Sequence, residues 1–493
     1  MLMKLFVFIF LLIFYLPLHG QEKFANQWIV GRSNGSIKGA IIDFNYDTIN
    51  VYSVNKDMDI ETTSASVCNA EGQLALYTNG CYIANGLHQV VENGDSIGGG
   101  YLESSYCDNG GAPINQGSII LPSLKSPYLF SVFHLDLGEP YNGNPDYFPL
   151  APESFYHSII KMDSNSDTVI EKKVLLLQDT FARGSIQATR HSDGKRWWII
   201  IPESHSNCYY TFLFDSNNVS LSIKQCLGEV WDDRDAQGQA VFSPDGKRYV
   251  RCNYFNGLNI FDFNTLTGEL SNAKSISFGL DTFYFNGAAF SPNSKILYIS
   301  AYTKLFQFDL QSPDIGSTQQ LIAELSTPNG VQHKTFFNKS LLAPDGKIYI
   351  GGINQFKYLH VIEKPNCLGL SCNVNQYAVL LPVFCSFSLP NLPNYFFEND
   401  SVSCNNVFVT TPNRTGDIKI QPSPFQEYLH VSLYNSNCNP LFQIFDSIGR
   451  CFTTKIIYDG LNEIDTSYWP PGFYIWSVSV NGKGIENGKV IKQ

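Results

Sequence analysis

The residues that could carry chemistry are few and scattered. Gly31-Arg32-Ser33-Asn34-Gly35 has the G-x-S-x-G spacing that exposes a nucleophilic serine when a buried strand, a sharp turn and a helix hold it. Here the flanks are loop-like and no α/β segment follows, so a β-turn is expected. Asp232-Asp233-Arg234-Asp235 is the densest acidic cluster, with oxygens suited to calcium, but no Asp-x-Asp-x-Asp-Gly loop accompanies it. It reads as a solvated rim loop. Glu203 and Glu229 could pair for glycoside chemistry, although sequence does not fix their separation. The nine histidines include no H-E-x-x-H, and His191 and His205 sit beside strand-like stretches as turn or core residues. Twelve cysteines show no C-x2-C pair, which disfavours zinc. Cys367 with Cys372, and Cys438 with Cys451, are the expected disulfide pairs. No catalytic residue, cofactor site or metal set emerges.

Aromatic side chains are the other resource: 36 Phe, 27 Tyr and 6 Trp. Most must fill a core. Tyr101, Tyr106, Tyr141, Tyr147, Phe148 and Tyr156 instead fall in or beside two loop-like insertions, Gly98 to Gly117 and Gly138 to Phe155. There they are candidates for stacking on a sugar or meeting a protein partner.

The elements that would position these residues are repeated. Phe242-Ser243-Pro244-Asp245-Gly246-Lys247 is a tight turn leading into a strand, a second turn at Asn256-Gly257, and another strand. The pattern returns at Phe290 to Lys295 and at Leu342 to Lys347, about 50 residues apart each time, the length of a four-stranded propeller blade. Earlier copies turn near Gly72, Ser126 and Gly194, so six blades are marked. Asp193 and Asp245 are expected to be turn residues whose carboxylates accept backbone N–H bonds. A seventh sheet can be made by joining the Trp28 and Ile41 strands to a chain end between Leu381 and Phe396. The expected fold is therefore all-β: a β-propeller with seven blades favoured over six or eight, followed by a small C-terminal β-sandwich. The expected domains are a propeller over 21–397, a polar linker over 398–417 and a sandwich over 418–493.

Composition narrows the partners. A net charge of −11 with only 16% charged residues argues against nucleic acid and acidic membrane surfaces. Residues 1–20 combine Lys4, an apolar run from Leu5 to Leu18 and a small Gly20, as a secretory signal peptide does. No later stretch is apolar for long enough to cross a bilayer as a helix. An exported chain without a transmembrane segment is expected.

Two resemblances sharpen this. Ile420-Gln421-Pro422-Ser423-Pro424, Ile444 to Arg450, Gly460, Pro471-Gly472-Phe473-Tyr474 and Lys489-Val490-Ile491-Lys492 resemble the type A sorting domain of the type IX secretion system of Bacteroidetes, with Ser423 where the family usually has asparagine. The resemblance implies recognition by the translocon and a sortase, with Pro422, Pro424, Gly449, Gly472, Tyr474, Lys489 and Lys492 carrying the signal. It also implies passage through the periplasm to the cell surface or medium. The Trp28 to Gly31 strand, the Asn85 to Val90 run, the S-P-D-G-K turns and Leu389 to Phe396 resemble exported Bacteroidetes propellers with WD40-like repeats. Ser192 to Trp197 has the residue types of a sialidase aspartate box without its spacing. The functional expectation is a secreted or cell-surface module that binds protein or glycan. The rival is a lyase or glycoside hydrolase working in the central pocket. Converging carboxylates, or a Tyr/His/Arg group, in the channel would favour the enzyme; apolar and amide side chains would favour the module.

Overall fold

The computed structural model describes residues 23–493 apart from 33–38, 109, 139–151, 164–165, 217, 232–237, 254, 277–285, 329–330, 332, 354, 388, 396–416, 435–439, 447–449 and 481–482. The expected signal peptide, the linker up to residue 416 and the Asp232–Asp235 cluster lie outside the described residues, as do Ser33, Tyr141, Tyr147, Phe148 and Gly449, whereas Asp417 already begins a strand.

The repeated turn explains the blades. In each copy the first turn residue accepts a hydrogen bond from the fourth: Gly194 to His191, Gly246 to Ser243, Ser294 to Ser291 and Gly346 to Ala343. The fourth residue takes a left-handed backbone, with φ of 69°, 70°, 59° and 77°. Glycine reaches that conformation freely, whereas Ser294 adopts it at some cost. The turn carboxylates do what was expected. Asp193, Asp245 and Asp345 each accept the backbone N–H two residues on, as does the Asn293 amide oxygen. Each turn thus launches the second strand of a sheet in one direction and register.

Among the described residues seven antiparallel sheets follow one another from Gln27 to Cys385. Five have four strands, such as Gln239–Phe242, Arg248–Asn253, Gly257–Phe263 and Leu270–Ile276 in the fifth blade. The first blade (Gln27–Val30, Gly39–Asp43, Asn50–Val54) and the second (Ala65–Cys68, Leu74–Thr78, Ile83–Asn85) have three. Aromatic rings fill the seams between neighbours. Phe133, Phe155, Phe212 and Phe214 join blades three and four, and Tyr209 meets Phe261 at 5.2 Å between four and five. Trp28, Phe44 and Tyr349 close the ring between one and seven. Flat apolar rings meeting edge to face give each seam a large buried area.

Ring closure differs in detail from the expected extra strand. Phe384 and Cys385 end the outer strand of blade seven, where Phe384 O accepts from Arg32 N, and the described residues of 386–395 do not enter the first sheet's ladder. They cross the channel through single hydrogen bonds: Phe387 N to Glu61 O, Asn391 N to Ser64 O and Asn394 N to Ala188 O. Other differences are local. The first insertion contains a short helix, Gly100–Tyr106, and the second ends earlier because Pro152–Met162 is already a strand.

The C-terminal residues form two facing sheets. One is built from Asp417–Gln421, Tyr428–Tyr434 and Gly460–Asp465; the other from Cys451–Ile456, Leu441–Phe445, Gly472–Val480 and Lys483–Lys492. Leu429, Val431, Phe442, Ile444, Trp476 and Val478 share their core.

The cysteine expectations are corrected. Cys81 bonds Cys107 and Cys208 bonds Cys226. Cys367 is disulfide-bonded but Cys372 is a free thiol, and Cys451 is free as well, so neither expected pair forms. Cys208 and Cys226 lie opposite each other on adjacent strands, an alignment set by register and invisible in sequence spacing. Burial pushes the free thiols of Cys68, Cys252 and Cys372 up to about 12, which makes them poor nucleophiles.

Candidate functional site

The central channel is occupied by the chain itself. Asn391 is buried there and uses its whole amide: Nδ2 donates to Ser118 O and Ile186 O, both at 2.9 Å, and Oδ1 accepts from Gln116 Nε2 at 3.0 Å and Gln187 Nε2 at 2.6 Å. Gln116 also exchanges two bonds with the Ala240 backbone. Gln239 donates to Ser340 O and accepts from Ala288 N and Ser340 N. Asn394 reaches Thr189 Oγ1 and Ser243 O. Amides thus tie the inner strands of blades three, four and five to one crossing segment, and Gln239 ties blade five to blades six and seven. The space left beside it is about 60 Å³ and is lined by apolar side chains with Gln187, Ser340, Asn394 and Tyr395. No carboxylate, histidine or arginine is among the described residues lining it.

One charged group does sit near this centre. Lys339 precedes the inner strand of blade seven, is 6% exposed, and donates to Thr62 O at 3.4 Å. Burial alone pulls its amine down to about 7.

The described rim tyrosines gather around the Cys81–Cys107 disulfide. Tyr101 and Tyr106 lie on the short helix that Cys107 ends, their rings edge to face at 5.9 Å. Burial raises the Tyr106 phenol, and the Arg183 guanidinium opposes that shift. Tyr156, in the Pro152–Met162 strand, stacks on His134 and is covered by Lys173 at 5.2 Å. Lys173 donates to Gly98 O and stands 3.7 Å from Asp136, so it fastens the insertion to blade three. Tyr156 is therefore committed to structure, whereas Tyr101 and Tyr106 stay half-exposed.

The remaining sequence candidates resolve individually. Glu203 accepts from Tyr210 and from Lys224 at 2.8 Å, an ion-pair cluster on the fourth blade, while Glu229 is exposed. His191 is buried in its turn and accepts from Asp193 N. His205 is an exposed turn residue with φ of 53°. In the C-terminal sheets Tyr474 is buried and donates to Pro470 O. Lys492 donates to Gln426 O over the Phe425 ring. Pro422, Pro424 and Lys489 are exposed, and Gly472 opens a strand. Among the described residues no group of three His, Cys, Asp or Glu side chains could hold a metal, and no helix is long and apolar enough to cross a membrane.

Sequence reasoning missed a depression of about 770 Å³ across the second blade. It exists because that sheet stops at three strands while blade one brings Tyr52 and blade three brings Tyr128 to either side. The available signal was the single short apolar run between Thr78 and Ser118, too little for the two strands a full blade needs there.

No protein-family model matches the chain, and no curated protein matches it. Solved structures similar to it include PorZ of Porphyromonas gingivalis, described as an essential bacterial surface component of the type-IX secretion system, at 10% identity over 92% of this chain and 63% of that one, TM-score 0.32. The chain therefore spans less than two thirds of PorZ. A putative 6-phosphogluconolactonase from Bacteroides fragilis is similar at 11% identity over 74% of this chain and 97% of that one, TM-score 0.40. The β-propeller domain of Cps50 (Swd1) from Myceliophteria thermophila is similar at 11% identity over 67% and 90%, TM-score 0.38.

Proposed function

We propose that this chain is an exported β-propeller that works at the cell surface or in the medium as a binding module. In this reading its C-terminal sandwich is the address read by the type IX translocon and sortase. The observation that carries the binding reading is the Asn391 crossing. A catalytic centre in a propeller channel needs an open end and convergent acid–base groups, and here amides and backbone fill that space. Recognition then falls to the rims, where Tyr101 and Tyr106 remain half-exposed beside a disulfide-anchored insertion. The ligand class is protein or glycan. The export reading is supported by the order of the sorting-type blocks from Ile420 to Lys492.

The test is a combined glycan and peptide array probed with the full chain, followed by product analysis on every hit. Retention of a ligand without chemical change is the expected result; release of cleaved or unsaturated sugar would establish the enzyme instead. For export, removal of residues 418–493 in a secretion-competent Bacteroidetes host should strand the propeller in the periplasm. Normal secretion of that truncation would refute the address.

A further inference from the structure

We infer that the groove across the second blade is a binding site for an uncharged oligosaccharide. The inference rests on the binding-module reading and assigns that module a second surface, built from the turns that start the second strands rather than from the insertions carrying Tyr101 and Tyr106. Three observations lead to it.

The first concerns backbone. A sheet that stops one strand short invites an added peptide strand, but the free edge of Ile83–Asn85 is already taken. Asn85 N donates to Gln89 O at 2.9 Å, and Val91 N donates to Ile83 O at 3.0 Å. A ligand in the groove must therefore be read by side chains. The second concerns side-chain chemistry. Tyr52 and Tyr128 stand on the two sides at 37% and 62% exposure. Between them lie Glu71, Gln73 and Asp167. The Glu71 and Gln73 side chains make no hydrogen bond among the described residues. Asp167 already accepts from Asn85 Nδ2, which fixes its orientation. Phenol faces suit the C–H face of a pyranose, and planar amides and carboxylates span adjacent hydroxyls. The third is charge. The described lining holds Glu71, Asp163 and Asp167 with no lysine or arginine; Asp163 is paired with Lys161 behind it at 3.2 Å, and the charges of Glu71 and Asp167 would repel a uronate, sulfated sugar or phosphate. Burial lowers the pKa of His88 in the same wall, so it supplies no compensating cation. The volume, about 770 Å³, is that of an ordinary ligand site.

The experiment titrates the full chain with neutral gluco-, manno- and xylo-oligosaccharides and, in parallel, with oligogalacturonate and a sulfated oligosaccharide, read by calorimetry. A neutral series should bind and the acidic ones should not. Tyr52→Ala and Tyr128→Ala should each weaken binding about tenfold at unchanged melting temperature, since both rings are exposed. Tyr468→Ala, which removes a 94% exposed ring from the C-terminal sheets, should leave affinity unchanged. Absence of binding by every neutral sugar, preference for the acidic ones, or full affinity in the Tyr52/Tyr128 double variant would each overturn the inference. Binding that is lost with Tyr101 or Tyr106 instead would overturn the groove while leaving the binding module intact. Turnover of a bound sugar would defeat the module reading itself.

Discussion

Lys339 offers the sharpest test of how the ring is assembled. Its amine lies at the centre of the propeller with one hydrogen bond, to Thr62 O, and burial holds its pKa near 7 against an ordinary 10.5. A lowered lysine pKa means the folded protein disfavours the charged form. Between about pH 7 and pH 10.5 the unfolded chain holds the extra proton, so stability rises with pH across that window. Below pH 7 both states are protonated and the full penalty, on the order of 4–5 kcal/mol, is present. By pH 9 it has fallen to roughly 2 kcal/mol.

Lys339→Met keeps an unbranched chain of similar length and removes the charge. It leaves Thr62 O without a partner, a cost of about 1 kcal/mol. The variant should therefore melt several degrees higher than the parent at pH 6.5, and the gap should shrink by the equivalent of about 2–3 kcal/mol on going to pH 9. The assay is thermal denaturation of both proteins in one buffer series from pH 6 to pH 10. A gap that stays constant over that range, or a variant less stable than the parent at pH 6.5, would show that the amine reaches water or an unseen anion and refute the reasoning.

Other expectations follow from the same contacts. Asn391→Asp would turn an acceptor toward Ser118 O and Ile186 O, and should cost about 3 kcal/mol or more, measured as a loss in melting temperature; an unchanged melting point would mean that the crossing segment does not hold the ring. Burial depresses His134, His157 and His360 to about 4, so the unfolded chain takes up protons first as pH falls from about 6.5, and stability drops by on the order of 3 kcal/mol per site by pH 4. His157→Gln should flatten that acid slope by about one proton in a melting series, and an unaltered slope would place the uptake elsewhere. Replacing Cys81 and Cys107 with alanine removes a link across 26 residues and should destabilise the chain by about 3 kcal/mol. The same change should expose the 98–117 insertion to limited proteolysis, and equal cleavage rates with and without the link would contradict the anchoring role.

How much of this was legible depends on the range of the interaction concerned. The turns were readable because their determinants are local. Proline presets one dihedral, an Asp or Asn caps the turn through its own backbone, and a glycine takes the left-handed position. Even Ser294, which breaks the glycine rule, sits where the spacing from Gly246 requires a turn. Seam aromatics were readable as a class, though not as pairs such as Tyr209 with Phe261. Pairings that depend on register or closure were not readable. Cys208 meets Cys226 only because two strands align, and Lys339 meets Thr62 only because the ring brings chain positions far apart together. The rim tyrosines show the same divide. Their loops were located, but whether a ring would pack within its own helix, like Tyr101, or be pinned under Lys173, like Tyr156, depended on strand pairing within blade three.

The crossing segment links the fold to the function. Backbone groups facing the centre of a ring need partners. The described residues of 386–395 supply them with few backbone hydrogen bonds of their own, because the Asn391 and Asn394 side chains each satisfy several strands at once. The segment is thus fixed by several blades at once and cannot move aside without taking partners from Ser118 O, Ile186 O, Ser243 O and the Gln187 amide. A propeller closed in this way leaves little open space beside the crossing segment, and the proposed binding role therefore looks to the outer surface, where insertions and a shortened blade depart from the repeat.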